Sequence, residues 1–216
     1  MTLKEKILEA SRVLFNAEGV KKVTVRDICN QLKISPGSFS YHFPDKDKKE
    51  KIVTTLYKKM LSEMTTFITA IPRDEASILY FLESHKQLFI VQKKYKFFYL
   101  NLFDILNSHA EIKTMYLQNI QVERQMARQL LQLYGQKGVL KEGIEARQFD
   151  RLINVGQMLN NSWAIDAELH HQRTGKEQLI YYMNICCGLL EPYLTPPSLK
   201  EYQAYFNQLE AQPMNY

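Results

Sequence analysis

Between Ile34 and Lys46 the chain reads Ile-Ser-Pro-Gly-Ser-Phe-Ser-Tyr-His-Phe-Pro-Asp-Lys, thirteen residues with three serines and three aromatic rings. Ser38 and Ser40 carry hydroxyls that donate or accept hydrogen bonds, and Gly37 lets a backbone approach another surface closely. Tyr41 and His42 end in polar groups that reach phosphate oxygens or base edges. This is the chemistry of a segment that lies against a nucleic acid rather than one that makes or breaks bonds. The charge distribution agrees. Residues 1–60 hold 13 Lys and Arg against 7 Asp and Glu, a net of +6, whereas residues 61–216 are close to neutral at −1. A basic head on a neutral body suits a phosphate-binding role, although lysines such as Lys46, Lys48, Lys49 and Lys51 equally make an ordinary solvated helix start.

A second group of residues has the chemistry of a cavity wall. Tyr80, Phe81, Phe89, Tyr95, Phe97, Phe98, Tyr99, Phe103 and Tyr116 crowd into one region. Of these, Tyr95, Phe98, Tyr99, Phe103 and Tyr116, with Met115, Met158 and Trp163, are candidates to line a pocket for an apolar or aromatic ligand, or simply to fill a helical core. His85, His109, Asp104 and Glu111 are either polar anchors for that ligand or surface groups. No glycine-rich phosphate loop, nucleophile elbow or His-Glu-x-x-His occurs, so no catalytic residue and no cofactor are expected. His170 and His171 are adjacent and diverge on a helix, which argues against a metal site. Three cysteines, with Cys186 and Cys187 neighbours, indicate reduced thiols. With a charged N-terminus and no apolar run of spanning length, they point to a cytoplasmic protein without a membrane partner.

The elements that must position these residues are all helical. Leu3, Ile7, Ala10 and Leu14 share a face up to Gly19. Thr24 and Asp27 form a capping pair before Val25, Ile28 and Leu32, and Ser35-Pro36 opens a third helix whose Phe39 and Phe43 turn to the core. Two helices joined this tightly cross steeply, as in a helix-turn-helix. Helical periodicity then continues from Lys46 to Pro72, Ile78 to Lys93, Lys96 to Asn107, Ile112 to Tyr134, Ala146 to His170 and Lys176 to Leu190. A terminal piece spans Leu199 to Leu209, with Pro196-Pro197 as its spacer. The class is all-α, with nine or ten helices: a three-helix head over residues 1–48 and a helical bundle over residues 49–216. Two late stripes are apolar, one through Leu152, Gly156, Leu159 and Trp163, the other through Tyr182, Cys186 and Leu189.

The ordered set Ile7-Leu8-Glu9-Ala10, Leu14-Phe15, Gly19, Val23-Thr24-Val25-Arg26-Asp27-Ile28, Ile34-Ser35, Gly37-Ser38-Phe39 and Tyr41-His42-Phe43 resembles the TetR-type transcriptional regulators. The resemblance covers the first 60 or so residues; the rest is similar in length and helicity alone. It implies a DNA-binding repressor in which Thr24 and Arg26 meet phosphates or groove edges. Ser35, Gly37, Ser38, Ser40, Tyr41 and His42 then fall on the recognition helix, and Lys46 contacts a phosphate at the start of helix four. It further implies a two-fold homodimer joined through Leu152, Gly156, Leu159, Tyr182, Cys186 and Leu189, a palindromic double-stranded operator, and a small-molecule effector of unknown identity in the bundle. A constitutive DNA binder without effector and a helical small-molecule-binding protein remain the alternatives. The chain departs from the family pattern at Cys29, where Ala is usual, at Ser40, where a first Tyr is frequent, and at Leu32-Lys33, which replaces Ala-Gly. A left-handed Lys33 would cost about 1 kcal/mol. Lys49-Glu50-Lys51-Ile52 comes later than the corresponding opening of helix four.

Overall fold

Thr2 opens the fold with a reciprocal cap. Its hydroxyl oxygen accepts from the Glu5 N–H at 3.3 Å, and the Glu5 carboxylate accepts from the Thr2 N–H at 2.7 Å, which starts helix α1 (Leu3–Glu18). Gly19, at φ 83°, ends it in a conformation that disfavours a side chain. The same device recurs at Thr24 and Asp27, which begin α2 (Val25–Leu32). These elements come from a computed structural model that describes residues 1–70, 77–170 and 173–212. The expected helix stop at Pro72 and the His171 half of the histidine pair lie outside the described residues.

The turn after α2 is closed by Lys33, at φ 54° and ψ 43°, the left-handed conformation that a glycine adopts without strain. Its N–H donates to the Asn30 carbonyl and the next N–H, from Ile34, to the Cys29 carbonyl at 3.0 Å, so the strained residue satisfies the end of α2. Ser35 then caps α3 (Pro36–His42) by accepting from the Ser38 N–H at 3.1 Å, with Pro36 at the first helical position. Phe39 and Phe43 are buried, and α3 packs on both α1 and α2.

The remaining α-helices are α4 (Lys48–Ala70), α5 (Ile78–Lys94), α6 (Lys96–Leu100), α7 (Leu102–Ser108), α8 (Ala110–Gln136), α9 (Ala146–His170), α10 (Gly175–Cys187) and α11 (Pro196–Ala211), with a 3-10 turn at Glu191–Tyr193. The described residues thus hold eleven α-helices and no strand. The segment Lys96–Asn107, expected as one helix, is two, because Asn101 leaves helical geometry at φ −118° and ψ 19° and returns its side-chain amide to the Phe97 carbonyl at 2.7 Å. Pro196 and Pro197, expected as a spacer, are the first turn of α11, where their missing N–H groups would have had no helical partner.

The chain divides into two compact units. The first comprises residues 1–63 and 92–117; it contains all of residues 1–48 and adds the start of α4 with α6, α7 and the start of α8. Inside it, α1 is fastened to the α5–α6 junction by polar contacts. Arg12 Nη1 and Asn16 Nδ2 donate to the Lys94 carbonyl at 2.5 and 2.9 Å, and Asn16 Oδ1 accepts from the Phe97 N–H at 2.9 Å. Phe15 packs on Phe97 at 5.5 Å between ring centres, and Tyr57 of α4 stacks on Phe98 at 4.7 Å. The Tyr95 hydroxyl donates to Glu63 at 2.9 Å; burial, then the Glu63 hydrogen bond, hold its phenol far above the usual range.

The second unit comprises residues 64–91 and those from 118 onward. An aromatic cluster sits in its core: Trp163 lies 4.4 Å from Phe89 and 5.5 Å from Tyr182, centre to centre. Tyr182 donates to Asp166 at 2.7 Å, and Tyr134 donates to the Ser77 carbonyl at 2.9 Å, so both of these phenols are paired. The loop before α9 is tied to the segment before α11 by a bridge between Leu140 and Leu194, and by Lys141, which donates from backbone and side chain to the Tyr193 and Pro192 carbonyls at 2.8 Å each.

Lys33→Gly removes the left-handed strain without touching a packed side chain. The variant should be more stable by about 1 kcal/mol, which for a chain of this size raises Tm by roughly 2–4 °C in thermal unfolding. An unchanged or lowered Tm would mean that the conformation costs nothing here.

Candidate nucleic-acid interface and a cavity in the second unit

The outward face of α3 follows from its inward one. With Phe39 and Phe43 buried one turn apart, the helical repeat turns Gly37, Ser38 and Tyr41 to solvent. Tyr41 is 83% exposed, the most exposed aromatic side chain described, and its ring meets the half-buried His42 edge-on at 5.1 Å. Ser35 and Ser38 share a hydrogen bond at 3.1 Å between hydroxyls, and Ser40 is half-buried. All six residues expected on a recognition helix therefore lie on α3 or its cap, four of them exposed and Ser40 and His42 half-buried.

The flanking residues separate into free and committed groups. Arg26 and Lys46 are exposed; Thr24 is exposed but occupied, donating to Asp27 at 2.6 Å while accepting from the Asp27 N–H at 3.2 Å. The Thr24 hydroxyl, then its N–H, hold the Asp27 carboxyl below its ordinary 3.8. Lys46 lies in the turn before α4 and Lys48 begins the helix. Lys49 points the other way: its ammonium donates to the Lys21 and Val23 carbonyls at 3.3 and 3.1 Å, and burial pushes its pKa down. Of the lysines that compete for a phosphate, Lys49 is thus the one that holds the α1–α2 loop. Sequence periodicity could not single it out, because the carbonyls it meets lie on another element.

The second unit contains a cavity of about 220 Å³ built from one face of each of several helices. Phe81, His85 and Leu88 of α5, Glu123, Ala127 and Leu130 of α8, and Ile153, Gly156, Gln157 and Asn160 of α9 each repeat at helical spacing and converge on it. Met64 of α4, Leu131 of α8, Leu152 of α9, and Cys186, Leu189 and Leu190 complete the wall. Burial raises the Cys186 thiol to about 11, so it is a neutral lining group.

None of the eight residues expected to line a pocket borders this cavity. Tyr95, Phe98 and Tyr99 are core of the first unit, where Met115 and Tyr116 also lie half-buried; Phe103 and Met158 are exposed; and Trp163 belongs to the aromatic cluster. Aromatic density marked packing instead. The polar candidates divide likewise: His85 lines the cavity, Asp104 pairs with Lys21 at 2.7 Å, Glu111 pairs with Lys58 at 2.6 Å, and His109 bonds the Ile105 carbonyl at 3.0 Å.

Four residues expected at a dimer interface, Leu152, Gly156, Cys186 and Leu189, line the cavity, while Leu159 is half-buried and Tyr182 is core. The apolar side chains that α9 and α10 present to solvent are Met158 and Leu169, each 70% exposed, with Ile165 and Ile185. Among the described residues no group of three His, Cys, Asp or Glu side chains could hold a metal ion, and no helix is long and apolar enough to cross a membrane.

A family model described as "Bacterial transcriptional repressor" (TetR) matches residues 59–202, and one described as "Bacterial regulatory proteins, tetR family" matches residues 7–48. Among solved structures, a TetR-family transcriptional regulator from Marinobacter aquaeolei VT8 is similar at 20% identity and a TM-score of 0.84, over 97% of this chain and 99% of that one. The ketosteroid transcriptional regulator KstR2 of Mycobacterium tuberculosis is similar at 13% identity and a TM-score of 0.64, over 90% and 96%. A gamma-butyrolactone receptor (ArpA-like protein) is similar at 14% identity and a TM-score of 0.69, over 95% of each chain. No curated protein matches the chain in sequence.

The Thr24–Asp27 cap carries a pH dependence. Because Asp27 has a lower pKa folded than unfolded, its contribution to stability is fully present above the ordinary 3.8 and is lost as pH falls through the folded-state value. An NMR titration should find Asp27 below 3.8 in the native protein and higher in Thr24→Ala, which loses the hydroxyl but keeps the backbone N–H donor. Equal values in the two proteins would contradict the cap.

Proposed function

Since the chain belongs to the TetR family of bacterial transcriptional regulators, we propose that it is a homodimeric repressor that places α3 in the major groove and is released by a small molecule in the second-unit cavity. The observation that carries this is Tyr41: a large aromatic ring held in solvent beside the half-buried His42, on a helix fixed by the buried Phe39 and Phe43, packs into no core and faces where a groove would be. Gly37 and Ser38 leave room for the backbone to approach, while Arg26, Lys46 and Lys48 supply positive charge for phosphates. Thr24 contributes through its exposed cap.

The dimer is made by Met158, Ile165, Leu169 and Ile185 rather than by the residues that line the cavity. Exposed apolar side chains on two neighbouring helices are what an isologous interface covers. Two heads related by a two-fold axis read a palindromic operator with half-sites roughly 34–36 Å, or one helical turn, apart.

Helix α4 gives a route for release. It carries Lys49, which holds the α1–α2 loop, and further along the same helix Met64, which lines the cavity. An effector that prefers the DNA-incompetent arrangement by about 1–3 kcal/mol changes operator affinity about 5–150-fold.

Against a duplex selected from a random pool, the pair Tyr41→Ala and His42→Ala should cost at least about tenfold in affinity, since each lost base or phosphate contact is worth roughly 1–3 kcal/mol. Sedimentation should show the same oligomer as the native protein. Normal operator binding by the double variant would mean that α3 is not the reading helix. Separately, Leu169→Glu should sediment as a monomer and lose operator binding; a dimer that survives this change would place the interface elsewhere.

A further inference from the structure

The cavity of the second unit contains a hydrogen-bond donor with nothing to bond. Gln157 lines the wall, and its side-chain amide nitrogen is buried without a partner. The orientation of that amide is forced, because its oxygen accepts from Arg124 Nε at 2.7 Å and a guanidinium can only donate. Arg124 is itself held by a second bond, from Nη2 to Asn154 Oδ1 at 3.0 Å. Exchanging the amide's two ends would set two donors against each other, so the N–H₂ group stays on the unpartnered side. Buried donors are otherwise satisfied in folded proteins, and one that is not, at the wall of a cavity, indicates the group that belongs there.

The rest of the wall restricts the charge of that group. Among the described residues no lysine or arginine lines the cavity, so an anion finds no counter-charge there. His85 supplies none: its Nδ1 donates to the Phe81 carbonyl at 2.9 Å, leaving Nε2 as the acceptor, and burial lowers its pKa from 6.5, which keeps the ring neutral. Among the described residues Glu123 is the one carboxylate on the wall; it already accepts from Asn119 Nδ2 at 2.6 Å, and although part of its side chain reaches the surface, desolvation holds its carboxyl above the ordinary 4.5, against the charged form. The remaining surface is mainly apolar, and the volume of about 220 Å³ lies below the roughly 300–1,000 Å³ of sites for drug-sized molecules.

We infer that the cavity takes a small, uncharged, mainly apolar molecule whose carbonyl oxygen accepts a hydrogen bond from Gln157 Nε2. This rests on the reading of the cavity as an effector site and specifies what that effector is made of.

Three eight-carbon probes that differ in their polar group test the assignment: 2-octanone, octanoate and octylamine, titrated calorimetrically into the full-length protein and into Gln157→Leu and Gln157→Glu. The second variant keeps an acceptor for Arg124, so it retains that contact while removing the donor. The native protein should bind the ketone at least about tenfold more tightly than either charged probe, and both variants should weaken ketone binding by about tenfold, the value of one buried hydrogen bond. The assignment is overturned if a charged probe binds as well as the ketone, if both variants bind the ketone as the native protein does, or if the native protein binds none of the three. Operator affinity measured with and without the ketone keeps the two readings apart. A ketone that binds as expected yet leaves operator affinity unchanged removes the effector reading and leaves the assignment standing. Release of DNA by octylamine does the reverse.

Discussion

A helix of seven residues is too short to persist in water by itself, so everything α3 presents depends on the burial of Phe39 and Phe43. Those two rings determine which way the helix is turned, and therefore that Tyr41 and Ser38 face outward. The head then has to be held, and polar contacts do this at two places. Lys49 reaches back from α4 to two carbonyls of the α1–α2 loop, and Arg12 with Asn16 clamps α1 to the end of α5 and the start of α6. Charge-assisted bonds to backbone carbonyls are directional, which apolar packing is not, and they define where the head's helices stop.

The second unit works on a different principle. Its aromatic side chains are consumed in packing, with Trp163, Phe89 and Tyr182 against one another, and its cavity is walled by aliphatic residues with a few amides. An amide held in one orientation by an arginine outside the cavity costs stability while the site is empty and repays it when an acceptor arrives. That exchange makes occupancy selective for chemistry and not only for size.

Much of the first unit was legible in the sequence. The Thr24–Asp27 cap, Ser35-Pro36 and the Phe39–Phe43 spacing are local signals whose causes lie within a few residues, and the structure holds each of them; the left-handed Lys33 was suggested only by the glycine that the family pattern has at that place. The cavity was not, for a physical reason. Its wall combines one face from each of several helices, and residues such as Leu152, Gly156 and Leu189 have the same apolar periodicity whether they face a cavity, a core or a partner. Only tertiary placement separates those cases, as it separates Lys49 from Lys46. A usable hint was present in the mixed faces, where Gln157 and Asn160 follow Ile153 and Gly156 on α9, since amides rarely share a purely structural core stripe. The splitting of Lys96–Asn107 was equally hidden, because Asn101 reads as an ordinary helix residue until its side chain is seen bonding the Phe97 carbonyl.

The most direct test of the account is the affinity of the native protein for the DNA flanking its own coding region, measured by fluorescence anisotropy beside an unrelated duplex at about 0.15 M salt. A preference of about 1000-fold or more is the predicted result, because base-edge contacts from α3 add to the phosphate contacts that any duplex offers. Equal, weak binding to that DNA and the unrelated duplex would contradict it, leaving a basic head that recognises charge and no sequence there.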